Sequence, residues 1–181
     1  AYVVPGLIDL HIHGYLAQDV CDGDPEGVRR IAGGIVGNGV TGFLPTTMTV
    51  DKAVIQKALD VCRSLREESK TWNGAAILGV HAEGPFINPK KKGAQEERFI
   101  LKPDAAFVKQ NADIIRLITL APEMDEDFKA ISEITRDTDV VISMGHTDAS
   151  YETAVEAVQH GVKHVTHLFN AMSALNHRNP G

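Results

Sequence analysis

The chain has 181 residues, 43% of them hydrophobic and 23% charged, with a formal net charge of -6. That length is typical of one domain, since domains run to about 100–200 residues, and the composition is that of an ordinary soluble globular protein with a sizeable core. The acidic balance, with no basic tract beyond Lys90, Lys91 and Lys92, argues against nucleic acid as a partner and leaves any anionic substrate to a local site.

The first residues, Ala1 to Gly6, lack the basic segment of a signal peptide and read as a chain entering mid-protein. Six short apolar, β-branched runs follow: Leu7–Ile12, 41–44, 76–80, 114–120, 140–144 and 163–166. Several are nearly continuous in apolar residues, which suits strands buried on both faces of a parallel sheet. Helix-like stretches lie between them at 25–38, 52–68, 103–110, 125–136 and 151–160. The first closes on Asn38-Gly39 and the last on Gly161, and the second places Val54, Ala58, Val61 and Leu65 on one stripe. Cys21 and Cys62 form neither a CxxC pair nor a zinc-ribbon spacing and fit a reducing, cytoplasmic setting. No stretch reaches the length of about 20 apolar residues that a membrane-spanning helix needs.

Strand and helix in strict alternation predict a parallel α/β sheet. No GxGxxG follows the first strand, which removes the main support for a doubly wound nucleotide-binding sheet. Polar residues gather at the C-terminal ends of the runs, where a (β/α)8 barrel of the TIM type carries its active site. A full barrel needs eight strands and about 250 residues. The chain is therefore expected to hold about six βα units, as one partial metal-dependent hydrolase barrel over 1–181, with the last two strands beyond Gly181.

The first strand ends in His11-Ile12-His13, and residues two apart on a strand share a face, so both rings can converge on one ion. A strand can also simply end in two polar residues. The third ends in His81-Ala82-Glu83-Gly84-Pro85, where a carboxylate would be costly to bury unless a metal or an ion pair neutralised it. His81 shares the face of Glu83 and is expected to be a hydrogen-bonded interior residue. The fifth run leads into Gly145-His146-Thr147 and the sixth into Thr166-His167-Leu168. A lone histidine is usually structural. Two at equivalent ends of neighbouring strands, with a carboxylate at a third, make a catalytic zinc set that leaves one position open for water. The same donors suit Fe(II), Co(II) and Mn(II). His160, His164 and His177 fall elsewhere and read as structural or solvated.

Four segments in this order, Pro5-Gly6-Leu7-Ile8-Asp9-Leu10-His11-Ile12-His13-Gly14, His81-Ala82-Glu83-Gly84-Pro85-Phe86, Gly145-His146-Thr147 and Thr166-His167-Leu168-Phe169-Asn170-Ala171-Met172, resemble the N-acetylglucosamine-6-phosphate deacetylase family of the amidohydrolase superfamily. The opening motif is shared across the superfamily, whereas Glu-Gly-Pro-Phe and His-Leu-Phe-Asn-Ala-Met are far more specific. The resemblance implies Glu83, His146 and His167 as ligands of one divalent metal, zinc or iron, with a second ion possible at His11 and His13. It implies that Asn170 and the Ala171 N–H bind a sugar phosphate, joined by Arg178 across a homodimer interface. It makes Lys90 to Gln95 a loop closing over the substrate, with Ala94 and Gln95 near the sugar. Gln95 stands where some members have histidine, so a hydrogen-bonding role survives and a proton-transfer role does not. Lys90 and Lys91 read as solvated.

The implied reaction is deacetylation of a small phosphorylated amino sugar, without nucleic acid or membrane as partner. Its general base, an aspartate, falls beyond Gly181, as do a seventh-strand histidine and the family's small β-sandwich, so no catalytic residue is expected within this chain and the fragment alone should be inactive. Two other readings stay open. One is an amidohydrolase acting on a cyclic amide or deaminating a base, and the other a metal-binding fragment without catalysis.

Overall fold

A computed structural model describes residues 2–178. The chain forms two compact units. The first comprises the residues up to Thr47 together with Lys52–His81, and the second Met48–Asp51 together with the residues from Ala82 onward.

In the first unit, β1 (Leu7–Ile12) pairs in parallel with β2 (Val40–Thr47), joined by α1 (Pro25–Ile35). Asp24 caps α1 by accepting from the amides of Glu26 and Gly27, with Pro25 in the first turn. Pro45 lacks an amide proton, which is why the run reads as ending at Leu44, yet the strand continues to Thr47 with every residue from Gly42 buried. Helix α2 (Lys52–Leu65) buries Ile55, Ala58, Leu59, Cys62 and Leu65, while Val54 is exposed. Its apolar stripe is thus turned from the expected one, because Ile55 and Leu59 offer the larger side chains. Burial pushes the Cys62 thiol up to about 12, so it packs as a small apolar group.

The expected third strand is broken. Gly79, at a φ of 152°, splits it into Ala76–Ile77, which pairs with β2, and β3 (Val80–Glu83). In the first unit β1 and β2 are neighbours.

In the second unit the order is β3-β4-β5-β6, with β4 (Ile115–Leu120), β5 (Val141–Met144) and β6 (Val162–Val165) paired in parallel. Helices α3 (Ala105–Gln110), α4 (Lys129–Asp137) and α5 (Tyr151–His160) connect them. Helix α3 begins two residues later than expected because Asp104 serves as its cap. Helix α4 begins at Lys129 rather than 125, since Asp127 and Phe128 are left-handed and Asp125 instead accepts from the amides of Ala130 and Ile131. Phe86, Ile87, Ile114, Ile115, Ile118, Leu120 and Ile131 are fully buried here. Thr119, Ser143, Thr166 and His164 join through their side chains in a hydrogen-bonded chain, which accounts for polar residues at buried strand positions. No helix among the described residues is long and apolar enough to cross a membrane.

Candidate metal centre

Glu83, the last residue of β3, and the histidines that follow β5 and β6 come together within the second unit. Oε1 of Glu83 lies 3.3 Å from Nε2 of His146 and 3.1 Å from Nε2 of His167, and the two Nε2 atoms are 3.2 Å apart. The other ring nitrogens decide the tautomers. Nδ1 of His146 donates to the Lys91 carbonyl at 2.9 Å and Nδ1 of His167 donates to the Asn170 carbonyl at 2.9 Å. A carbonyl can only accept, so in each neutral ring the proton sits on Nδ1 and Nε2 presents a lone pair. Three lone-pair donors therefore face one another around Glu83, whose carboxylate is nearly fully buried. Without a cation between them such a cluster is repulsive and poorly solvated. Donor atoms bound at about 2.0–2.2 Å to one tetrahedral ion lie about 3.3–3.6 Å apart, close to the separations seen here. The donor set fits a divalent ion.

The backbone at both histidines is strained. His146 has a φ of 49° and His167 a φ of 34°, with Phe169 and Ala171 also left-handed. Such conformations cost on the order of 1–3 kcal/mol each for residues with a Cβ and persist where surroundings over-determine them. At His146 these surroundings are explicit. Its carbonyl accepts from the Asn88 amide at 2.9 Å, and Glu123 takes the Asn88 side-chain amide, the Thr147 hydroxyl and the Asp148 amide. Gly145, just before it, has no room for a side chain, since a Cβ would sit 2.6 Å from Thr119 Cγ2.

Lys91, expected to be solvated, is only a quarter exposed. Its carbonyl holds His146, while its ammonium meets Asp148 at 3.2 Å and the Met172 carbonyl at 3.3 Å. With Ser173, that ammonium holds the Asp148 carboxyl below its usual range. Lys90 is solvated as expected, 77% exposed and 3.7 Å from Asp148.

Gln95 is buried, and both ends of its amide are committed. Oε1 accepts from the Thr49 amide at 2.6 Å, and Nε2 donates to Oε2 of Glu83 at 2.7 Å. Ala94, Asn170 and Arg178 are exposed, and Ala171 is half-buried. Sequence reasoning missed Glu123, Thr49 and the structural use of Lys91. Nothing in their local patterns marks them, because their partners are distant in the chain.

In the first unit the Nε2 atoms of His11 and His13 lie 3.0 Å apart, so the HxH pair converges as its spacing predicts. Nδ1 of His13 donates to the Thr46 carbonyl at 3.1 Å. His81 is buried, donates from Nδ1 to the Leu10 carbonyl at 3.0 Å, and packs edge-on against His11. His160 bonds Ser132 and stacks on Phe128, and His164 bonds Ser143, both structural roles. His177 is exposed.

The family model described as "Amidohydrolase family" matches residues 2–178. The chain belongs to the amidohydrolase family. Members of this family are metal-dependent, and the site just described has the donors for an ion. The chain is 38% identical over 184 residues to the N-acetylglucosamine-6-phosphate deacetylase of Bacillus subtilis, covering 99% of this chain and 46% of the relative. It is similar in structure to the N-acetylglucosamine-6-phosphate deacetylase of Thermotoga maritima, with a TM-score of 0.86 and 31% identity, over 98% of this chain and 47% of the other. It is also similar to a variant of the Mycobacterium smegmatis enzyme in complex with N-acetyl-D-glucosamine-6-phosphate, with a TM-score of 0.88 and 28% identity, over 98% and 46% of the two chains. The fold is accordingly a TIM-type amidohydrolase barrel present in part, and the chain spans about half the length of the relatives it matches.

Proposed function

We propose that this amidohydrolase, as a whole protein, removes the acetyl group of N-acetylglucosamine 6-phosphate, giving glucosamine 6-phosphate and acetate. The observation that carries the reading is the convergence of Glu83 Oε1, His146 Nε2 and His167 Nε2, in a chain whose relatives bear that name. A divalent ion held there, zinc or iron, supplies a polarised amide carbonyl and an acidified water.

The chain's own residues do the positioning. The Lys91 and Asn170 carbonyls fix the two imidazoles with Nε2 inward. Asn170, the Ala171 N–H and Arg178 are the proposed phosphate contacts, and the Arg178 guanidinium can meet a phosphate with two parallel hydrogen bonds. Holding the phosphate would orient the sugar in the site and remove much of the entropy cost of reaction. Ala94 belongs to the loop proposed to cover the sugar. The roles proposed for these residues are binding and orientation. His11 and His13 offer a two-nitrogen edge that suits a second ion. A cytoplasmic homodimer, with Arg178 reaching the neighbouring subunit's site, completes the proposal.

The test is acetate release by the whole protein loaded with zinc or Fe(II), comparing N-acetylglucosamine with and without its 6-phosphate. Deacetylation that requires the phosphate supports the reading. Turnover of cyclic amides or of an aminopurine instead, with the phosphorylated sugar inert, would replace it with another amidohydrolase activity.

A further inference from the structure

We infer that Gln95 is a positioning residue of the metal centre, which locks Glu83 into binding through one oxygen, rather than a contact to the sugar. The inference rests on the metal-binding part of the proposed function. The Thr49 N–H can only donate, so the oxygen of the Gln95 amide must face it and the NH2 must face Glu83. Nε2 then gives one hydrogen to Glu83 Oε2 at 2.7 Å, with Met48 Sδ 3.8 Å away on the same nitrogen. Oε2 accepts this hydrogen bond, and Oε1 is the oxygen that faces the Nε2 atoms of His146 and His167.

The surroundings hold this arrangement in place. Thr49 also donates from its hydroxyl to the Glu83 carbonyl at 3.4 Å, so one short segment grips the ligand at its backbone and, through Gln95, at its tip. Gly93, two residues earlier in the loop, lies against the His146 ring, where an added Cβ would come 3.6 Å from Cε1. The segment that supplies Gln95 therefore also supplies Lys91, which fixes His146. Two of the three candidate ligands thus take their orientation from one loop. An amide suits the position because it donates at any pH and carries no charge of its own. It orients the carboxylate without neutralising it.

The experiment compares zinc affinity, by competition with a chromophoric chelator, in the whole protein and in Gln95→Met, Gln95→Asn and Gln95→His, alongside melting of the zinc-free forms and KM. Loss of a hydrogen bond to a metal ligand typically weakens binding by about 10–100-fold. That loss is expected in Gln95→Met, with Gln95→His restoring most of it through its ring N–H. A purely structural role would lower the zinc-free melting temperature and leave affinity unchanged, and a sugar contact would raise KM alone. Either result overturns the inference. Should Gln95→Met not fold, Gln95→Asn gives the same decision, because its amide is one methylene too short to span Thr49 and Glu83. Normal zinc affinity there also overturns it, as does a wild-type protein that binds no zinc. If zinc binds and Gln95 controls its affinity but no deacetylation occurs, the proposed activity fails while this inference stands.

Discussion

Replacing Glu83 with glutamine should abolish metal binding and yet make the metal-free protein more stable. When both rings are neutral their single protons go to the Lys91 and Asn170 carbonyls, so neither Nε2 donates to Oε1 of Glu83. A glutamine places an NH2 group at that point, within 3.1–3.3 Å of two acceptor nitrogens, and keeps its oxygen toward Gln95 Nε2. Two repulsive contacts become hydrogen bonds worth about 0.5–1.5 kcal/mol each, and a poorly solvated charge is removed. The net gain is about 1–2 kcal/mol. In a chain of this size 1 kcal/mol moves the melting temperature by about 2–4 °C, so the metal-free variant should melt about 2–8 °C higher.

Zinc reverses the order. At 100 times its dissociation constant a bound ion stabilises the folded state by about 2.7 kcal/mol, or about 5–11 °C on the same scale. Wild type should show that shift and Glu83→Gln none. The assay is thermal denaturation of both proteins in chelator and in zinc, at pH 8, where ordinary histidine is neutral. A Glu83→Gln protein that melts below wild type in chelator would refute the reasoning, because it would mean that the metal-free site favours the carboxylate over the amide.

Arg178→Gln should raise KM for the phosphorylated sugar more than tenfold while zinc affinity stays at the wild-type value, read by steady-state kinetics and chelator competition. Gly84→Ala should destabilise the protein by about 1–3 kcal/mol in urea unfolding, since the residue has a φ of 85° and its new Cβ would meet Thr49 Oγ1 at 2.1 Å. The Asp137 carboxyl is drawn down to about 2, first by its hydrogen bond to Arg136 and then by Lys109. Its folded value lies below its unfolded one, so the stabilisation it gives is present above about pH 4 and is lost as the pH falls toward 2. NMR titration should find that midpoint near 2 in wild type and near the ordinary aspartate value, about 3.9, once Arg136→Gln and Lys109→Met are combined. Lys91→Met should weaken zinc binding less than Gln95→Met, because the contact to His146 comes from its backbone carbonyl and survives the substitution.

The parts of the fold legible in the sequence are those governed by local chemistry. Leu7–Ile12 and Tyr151–His160 match their predicted bounds because a short apolar run opened by Pro5-Gly6 and a Ser150-capped, Gly161-terminated helix carry their own signals. The misreadings share a cause in the backbone rather than in hydrophobicity. Gly79 splits a run that looks continuous, and the left-handed pair Asp127 and Phe128 delays a helix whose pattern already looks periodic. The convergence of Glu83, His146 and His167 was legible because histidine and glutamate at equivalent strand ends are chemically conspicuous. Their supports were not. Glu123 and Thr49 act on residues 25 and 34 positions away in sequence, through amides and carbonyls that every residue possesses.

The supports nonetheless explain why the candidate ligands sit where they do. His146 and His167 lie just past the ends of their strands, at the first residues free of the ladder, and both take left-handed backbones that turn Nε2 back toward Glu83. Nothing in a histidine favours that conformation, so its cost of on the order of 1–3 kcal/mol per residue must be met by partners. Asn88 and Glu123 supply them at His146, and the short return from His167 to Asn170 supplies them at His167, where the Asn170 amide donates to the His167 carbonyl at 2.8 Å. The second arrangement is self-contained and the first depends on two other segments. His146 should therefore be the more sensitive ligand to distant change. Glu123→Ala, which touches no ligand side chain, should lower zinc affinity by disordering the turn at Thr147 and Asp148, whereas a side-chain deletion at Asn170 should leave the His167 bond intact because a backbone carbonyl makes it. Chelator competition on the two variants decides the matter. Equal loss of affinity in both would mean that the Asn170 side chain matters as much as backbone geometry at His146 to the strength of the candidate metal site.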